Sequence, residues 1–377
     1  MKNLSSDITE RRRQTRSTVF HYIYNSGKPC SKQEIANAVN ISLPTLYQNV
    51  NELLEAGFIE YCGSQASSGG RPAAQLRVVN NIRYAVGISI TMHHLRFVAT
   101  DLSKAEVAFK SVSHNVSIED PDYSEFVASQ LETFIDENNI VRERLLGVGI
   151  TFAGVVLPDN NTVYFAPTLD LRNLSLQSLV KAIPYPVYTE NDASSGGFAE
   201  WFNSSSKDSI VFLLLEEGVG GAVLVNGDQY NGNNYRAGEF GHMCVEPHGR
   251  KCSCGKSGCL EAYCSSNRIV ADSGMSVDDF FEHLREGKED TAEVWNDYKE
   301  HLATGIHNIR MALDCDIVLG GFMTEFLEPY IPEIESLLAE TDPFDSKCDY
   351  LRISNSPKYN SILGVALNFI RDFLENV

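Results

Sequence analysis

The chain has 377 residues, 43% of them hydrophobic and 10% aromatic, enough for two or three globular domains that each bury a core. No run of 18 apolar residues occurs and the first twenty residues are polar and Arg-rich, so neither a membrane span nor a secretory signal is expected; nine Cys, an odd number, fit a reducing cytoplasmic setting better than a disulfide framework. The net charge of −19 speaks against nucleic-acid binding by the chain as a whole, yet residues 1–80 hold nine Lys and Arg against six Asp and Glu while the remainder holds 22 against 44, the asymmetry expected when one small N-terminal domain meets phosphate.

Arg11-Arg12-Arg13 is a short basic run, either a solvated arm or a phosphate contact. Val19, Phe20 and Ile23 at helical spacing predict a first helix over residues 14–24, stopped by Gly27 and Pro29. Ser31 and Glu34 form a capping box for a short second helix with Ile35, Ala38 and Val39 inward. A third helix carries Pro44 in its first turn and Leu46, Val50, Leu53 and Leu54 on its inner face. Thr45, Tyr47, Gln48 and Asn51 remain outside, placed as the residues of a helix-turn-helix that meet base edges. Residues 58–61 and 76–79 are β-like and flank Gly69-Gly70-Arg71-Pro72, which predicts a wing whose Arg71 suits a narrow minor groove. Arg11, Arg12, Arg13, Arg16 and Arg71 would add phosphate contacts, hence affinity without sequence choice.

A new apolar strand over residues 84–90 is expected to pair with 95–100, followed by an amphipathic helix over 124–137 and a strand over 146–151. The strand at 185–189 runs into Glu190-Asn191-Asp192-Ala193, a junction where Asp commonly caps the next helix. The apolar strand 210–215 precedes Glu216-Glu217-Gly218-Val219-Gly220-Gly221. Residues 278–313 and 326–340 read as helical around a strand and glycine turn at 317–321, and a last helix runs from Ile362 through Val365, Phe369 and Phe373. No sequence repeat is evident.

The most informative stretch runs from Gly238 to Glu261. Cys252, Cys254 and Cys259 fall within eight residues and His242 lies ten residues before them, four donors of the kind a tetrahedral structural zinc requires. Zinc held by His242, Cys252, Cys254 and Cys259 would leave no open position for an activated water. Glu239 and Glu261 bracket this loop, and a carboxylate can accept hydrogen bonds from two neighbouring hydroxyls of a polyol.

This stretch resembles the signature of the ROK family, which groups bacterial sugar kinases with sugar-responsive repressors. Most of the chain after about residue 80 resembles that family's α/β, two-lobed, actin-like (ribonuclease H-like) fold, and the winged helix-turn-helix with its Gly-Arg-Pro wing resembles the DNA-binding domain of ROK repressors. The resemblance implies a mostly α DNA-binding domain over residues 1–80, a first lobe over 81–193 with 363–377, and a second lobe with the zinc loop over 194–362. It also implies a sugar set of Asn191, Asp192, Glu239, His242 and Glu261, with Asp192 at the position of the kinases' general base. The family's kinases carry Gly-Ile-Asp-Ile-Gly-Gly-Thr in the first phosphate loop; this chain has Gly87-Ile88-Ser89-Ile90-Thr91-Met92-His93. In the second loop Glu216-Glu217 replaces Gly-Thr, and Thr168 stands where the family has Asn. The implied function is a repressor of carbohydrate uptake or catabolism genes. It would be a homodimer or tetramer that binds operator DNA and responds to a sugar or sugar phosphate, with no ATP expected. The alternative is an ATP-dependent sugar kinase with a fused DNA-binding domain.

Overall fold

The computed structural model describes residues 3–65, 73–118, 120–157, 162–166, 169–344, 347–355 and 360–377. The N-terminal module consists of α1 (Asn3–Asn25), β1 (Cys30–Ser31), α2 (Lys32–Ala38), α3 (Leu43–Glu55), β2 (Ile59–Gln65) and β3 (Ala73–Val78). The Ser31–Glu34 capping box closes the start of α2, with the Ser31 N–H donating to Glu34 Oε2 at 2.7 Å. Ser42 caps α3 by accepting from the Thr45 N–H. The strands pair antiparallel in the order β1-β3-β2, and Phe20, Ile35, Leu46, Leu53 and Leu76 bury the apolar faces against one another. The helix expected from Gln14 begins at Asn3, well ahead of the Val19-Phe20-Ile23 stripe from which it was read.

Two larger sheets follow. The first is formed by β4 (Tyr84–Ile90), β5 (His94–Asp101), β6 (Glu106–Ser113), β7 (Leu145–Phe152) and β11 (Val187–Asn191), with α4 (Pro121–Glu137) packed on it. Between β7 and β11 the chain makes a small antiparallel sheet of β8 (Val155–Val156), β9 (Thr162–Ala166) and β10 (Leu171–Ser175), then α5 (Gln177–Ala182). That small sheet was not legible in the sequence. Helix α6 (Asp192–Asn203) leads to the second large sheet, whose strands are β12 (Ile210–Leu215), β13 (Val219–Val225), β14 (Asp228–Gln229), β15 (Asp316–Gly320) and β16 (Leu351–Ile353). Its helices are α7 (Glu261–Cys264), α8 (Ser266–Ser273), α9 (Val277–Arg285), α10 (Glu289–Leu313), α11 (Thr324–Leu327) and α12 (Ile331–Thr341).

The sheets read β11-β7-β4-β5-β6 and β14-β13-β12-β15-β16. In each, the first strand lies at the centre, its two successors pair antiparallel on one side, and later strands add in parallel on the other. The architecture is therefore duplicated although the sequence shows no repeat, because burial patterning constrains residue class and not identity.

The last helix, α13 (Asn360–Asn376), lies across β4 and β7 and against α6. Glycine permits this approach: a Cβ on Gly87 would stand 1.9 Å from the Ile362 carbonyl oxygen, and one on Gly364 1.8 Å from that of Ser195. The far end of α13 reaches the N-terminal module, where Phe373 meets Phe58 edge-on at 5.8 Å between centroids. The Arg83 guanidinium lies over both rings, and Arg13 Nη2 donates to the Asn376 carbonyl at 3.3 Å. Tyr24 adds a hydrogen bond to the Leu102 carbonyl at 2.8 Å. One continuous apolar core runs from Phe20 and Leu46 through Ala366 and Ile370 to Phe212. Among the described residues no helix is long and apolar enough to cross a membrane.

Candidate functional site

A cavity of about 470 Å³ opens between the two large sheets, and Asn191, Asp192, Glu239, His242 and Glu261 all line it. Asn191, not Asp192, caps α6: its Oδ1 accepts from the Ser194 N–H at 2.9 Å and its amide donates to the Gly154 carbonyl at 2.9 Å. The Asn191 amide is thus largely committed to holding the Gly154 turn in place. Asp192 Oδ1 accepts from the Ala193 N–H at 2.8 Å and from Asn191 at 3.1 Å, and Oδ2 has no hydrogen-bond partner among the described residues. Enclosure by protein pushes the Asp192 carboxyl up to about 7 against the pull of these hydrogen bonds.

Glu216, in the turn between β12 and β13, lines the same cavity, and among the described residues its carboxylate accepts no hydrogen bond. Burial first, and then the neighbouring Asp192, push it up to about 8; Arg96 pulls the other way. Burial also raises Glu239, with His242 opposing. Glu261 bridges two loops: Oε2 accepts from the Val219 N–H at 3.3 Å and Oε1 from Ser253 Oγ at 2.8 Å.

His242, Cys252, Cys254 and Cys259 converge, their four donor atoms lying within 4.8 Å of one another. Gly255 and Gly258 turn the loop with φ of 84° and 81°. Cys254 Sγ is 3.8 Å from Cys259 Sγ, and Cys252 Sγ is 3.7 Å from His242 Nδ1. A tetrahedral zinc with Zn–S bonds of about 2.3 Å separates its sulfurs by about 3.8 Å, so the donor set fits such an ion. Burial and the adjacent thiols push Cys259 up to about 12, a cost that a bound cation would offset by stabilising the thiolate. The loop has a second anchor in Arg250, which pairs with Asp272 at 2.9 Å and Asp297 at 2.8 Å.

In the N-terminal module Thr45, Tyr47, Gln48 and Asn51 are exposed along α3. Arg71 and its Gly69-Gly70-Arg71-Pro72 segment lie outside the described residues, as does Thr168. Sequence reasoning missed Lys32, whose ammonium sits 4.2 Å from the Tyr47 ring centroid and donates to Tyr61 Oη at 2.9 Å. Three arginines expected on phosphate have partners inside the chain: Arg12 and Arg16 pair with Glu52 of α3, and Arg13 with the end of α13. Helix α1 packs against α3, which puts its basic turn beside Glu52.

The ROK family pattern matches residues 85–367, and a helix-turn-helix pattern matches residues 14–62. The chain belongs to the ROK family. The xylose repressor of Bacillus subtilis (strain 168) is 26% identical over 289 residues, covering 74% of this chain and 75% of that one. Among solved structures, a ROK family transcriptional regulator described as a homologue of Escherichia coli MLC superposes with a TM-score of 0.76 at 22% identity, covering 97% of each chain. A ROK family glucokinase from Streptomyces griseus, determined with glucose and AMPPNP, gives a TM-score of 0.63 at 20% identity over 75% of this chain and 98% of its own. Regulators and kinases share the fold, so chemistry has to be argued from the loops of this ROK chain.

In the β4–β5 turn the Thr91 N–H donates to the His94 carbonyl at 3.0 Å, and the His94 N–H to Thr91 Oγ1 at 3.1 Å. In the β12–β13 turn the Glu216 N–H donates to the Gly218 carbonyl at 3.0 Å, and the Val219 N–H is taken by Glu261. The N–H groups of Thr91, His94, Glu216 and Val219 are thus engaged within the protein in these two turns. Arg96 also went unnoticed in the sequence, although the alternation Leu95-Arg96-Phe97, with its flanking residues buried, turns it to the cleft face of β5. Asn360 and Phe322 line the cavity from segments far away in the chain, and no local pattern marks them.

Proposed function

We propose that this ROK protein is a sugar-responsive transcription repressor of carbohydrate uptake or catabolism genes, cytoplasmic and acting as a homodimer or tetramer on operator DNA. The observation that carries the reading is the continuity of α13. Its first turn, Asn360-Ser361-Ile362, lines the cleft, and its last turn holds Phe58 of the DNA-binding module through Phe373. Asn360 Nδ2 also donates to Ser354 Oγ at 2.9 Å, and Ser354 Oγ to the buried Glu200 Oε2 at 2.7 Å. A ligand that changes the closure of the lobes at Asn360 therefore moves a rigid rod whose other end sets the position of the winged helix. Control requires different ligand affinities for two arrangements, since equal affinity shifts nothing.

In this reading Asp192, Glu239, His242 and Glu261 receive sugar hydroxyls and Asn191 orients the Gly154 turn. Zinc on His242, Cys252, Cys254 and Cys259 holds the loop that carries Glu239, His242 and Glu261 in place, and supplies no reaction step. Thr45, Tyr47, Gln48 and Asn51 face the major groove, Arg71 the minor groove, and Lys32 a phosphate. The domain division we propose is 1–80, 81–193 with 363–377, and 194–362, the last boundary falling in the first turn of α13. Similarity to a protein named xylose repressor supports a sugar effector.

A kinase with a fused DNA-binding domain draws support from one observation: Asp192, with a carboxyl near 7 and Oδ2 facing the cavity, has the pKa of a general base. Against it stand the engaged loop donors and the two carboxylates of Glu216 and Glu217. The deciding experiment selects genomic DNA fragments on the zinc-loaded protein, then measures fragment affinity across a sugar panel and ATP consumption with the same sugars. Fragment binding that a sugar alters without ATP turnover supports the repressor; sugar-dependent ATP turnover supports the kinase.

A further inference from the structure

We propose that the cleft takes an uncharged, unphosphorylated sugar and that Glu216 and Glu217 are the residues that reject phosphate esters and nucleotides. The inference rests on the sugar-sensor reading and narrows its ligand class. Three observations carry it. Among the described residues the cavity is lined by five carboxyl groups, Asp192, Glu216, Glu217, Glu239 and Glu261, against the single guanidinium of Arg96. A phosphate monoester brings a further charge of about −1.5 to −2 near neutral pH into this acidic lining.

Four of the backbone donors in the two turns are spent. The N–H groups of Thr91, His94, Glu216 and Val219 donate within the protein, the last of them to the Glu261 carboxylate. Carboxyl groups bring abundant acceptor oxygens, so a lining of five complements the hydroxyl donors of a sugar better than it does a phosphate. The apolar part of the lining supplies the remainder of a sugar's surface: Phe109, Phe165 and Phe322 can cover the C–H face of a pyranose ring.

Glu216 and Glu217 occupy the decisive position. They fill the turn between β12 and β13, with Glu216 between Asp192 and Arg96 in the electrostatics of the cleft. Glu216 Cγ would stand 2.9 Å from a Cβ on Gly321, so the side chain packs on the Gly320-Gly321 turn and is held in the cavity wall. Glu217 is exposed, so its replacement leaves the core untouched.

The test is titration calorimetry on the zinc-loaded full chain at pH 9, where Glu216 is ionised, with matched pairs: glucose and glucose 6-phosphate, N-acetylglucosamine and its 6-phosphate, xylose and xylose 5-phosphate. Inorganic phosphate and ATP-magnesium serve as anion probes, all at one ionic strength. The proteins are wild type, Glu217→Gln, and the double variant Glu216→Gln/Glu217→Gln. The expected result is a free sugar that binds wild type at least tenfold more tightly than its phosphate ester, with the ratio shrinking at least fivefold in the double variant and partly in Glu217→Gln. A phosphate ester that binds wild type more tightly than its parent sugar overturns the proposal. If no sugar of either kind binds, the sugar-sensor reading itself fails, and the anion probes then decide separately. Phosphate or ATP binding the double variant at least fivefold more tightly than wild type upholds rejection by the two glutamates, and equal binding refutes it.

Discussion

His242 divides its imidazole between two sites, with Nδ1 3.7 Å from Cys252 Sγ and Nε2 3.9 Å from Glu239 Oε2. The ring that completes the four-donor cluster therefore also faces a carboxylate of the cleft, so in the proposed reading metal occupancy and sugar binding are coupled through one side chain. Cys254→Ser removes one donor without touching the cleft, since Cys254 does not line it. Its expected outcome is loss of bound zinc by elemental analysis, a melting temperature lower by several degrees, and at least tenfold weaker sugar binding by calorimetry.

Phe373→Ala separates ligand binding from response. The ring contacts Phe58 and underlies Arg83 at the far end of α13 from the cleft. Truncating a half-buried aromatic costs less than the ~3–5 kcal/mol of a fully buried one, so the protein still folds. Sugar affinity by calorimetry should stay within about twofold of wild type, while the sugar-induced change in DNA affinity, read by fluorescence anisotropy, falls towards none.

Gly87→Ala tests the seat of α13. Its Cβ would fall 1.9 Å from the Ile362 carbonyl oxygen, backbone that cannot turn aside as a flexible side chain could. Overpacking of this kind typically costs ~1–3 kcal/mol, and here the helix must shift as a whole. Denaturant titration should show a lower midpoint, and the sugar response should weaken along with it.

The cleft predicts a pH dependence of stability. Asp192 and Glu216 rise from ordinary values of 3.8 and 4.5 to about 7 and about 8, chiefly through burial. A carboxyl that holds its proton more tightly in the folded state stabilises it fully below the unfolded value and loses that contribution as pH rises through the folded one. The ligand-free melting temperature contributed by these groups should therefore fall between about pH 5 and pH 8. Differential scanning calorimetry of Glu216→Gln should show a shallower decline over that window; an equally steep decline would mean that Glu216 titrates normally.

Local chemistry made much of this legible in the sequence. The Ser31–Glu34 box, the α3 stripe and the strand alternation each answer to neighbours a few residues away, and the Cys252-Cys254-Cys259 spacing brought three donors together within one loop. The remainder depends on distance along the chain. Asp192 reads as a helix cap from its junction, but the cap is Asn191, since the strand runs to Asn191 and the helix already begins at Asp192, which lines the cleft. Arg12 and Arg16 read as phosphate contacts because nothing local reveals that α1 passes beside Glu52. The duplicated sheet order and the reach of α13 from Asn360 to Phe373 emerge only when both lobes are assembled.

The most direct test of the central claim is the affinity of the zinc-loaded protein for a genomically selected DNA fragment, measured by fluorescence anisotropy with and without the sugar that calorimetry finds to bind, ATP being absent throughout. The account predicts tight fragment binding that the sugar weakens at least tenfold. Fragment affinity unchanged by a saturating, calorimetrically confirmed sugar would contradict it.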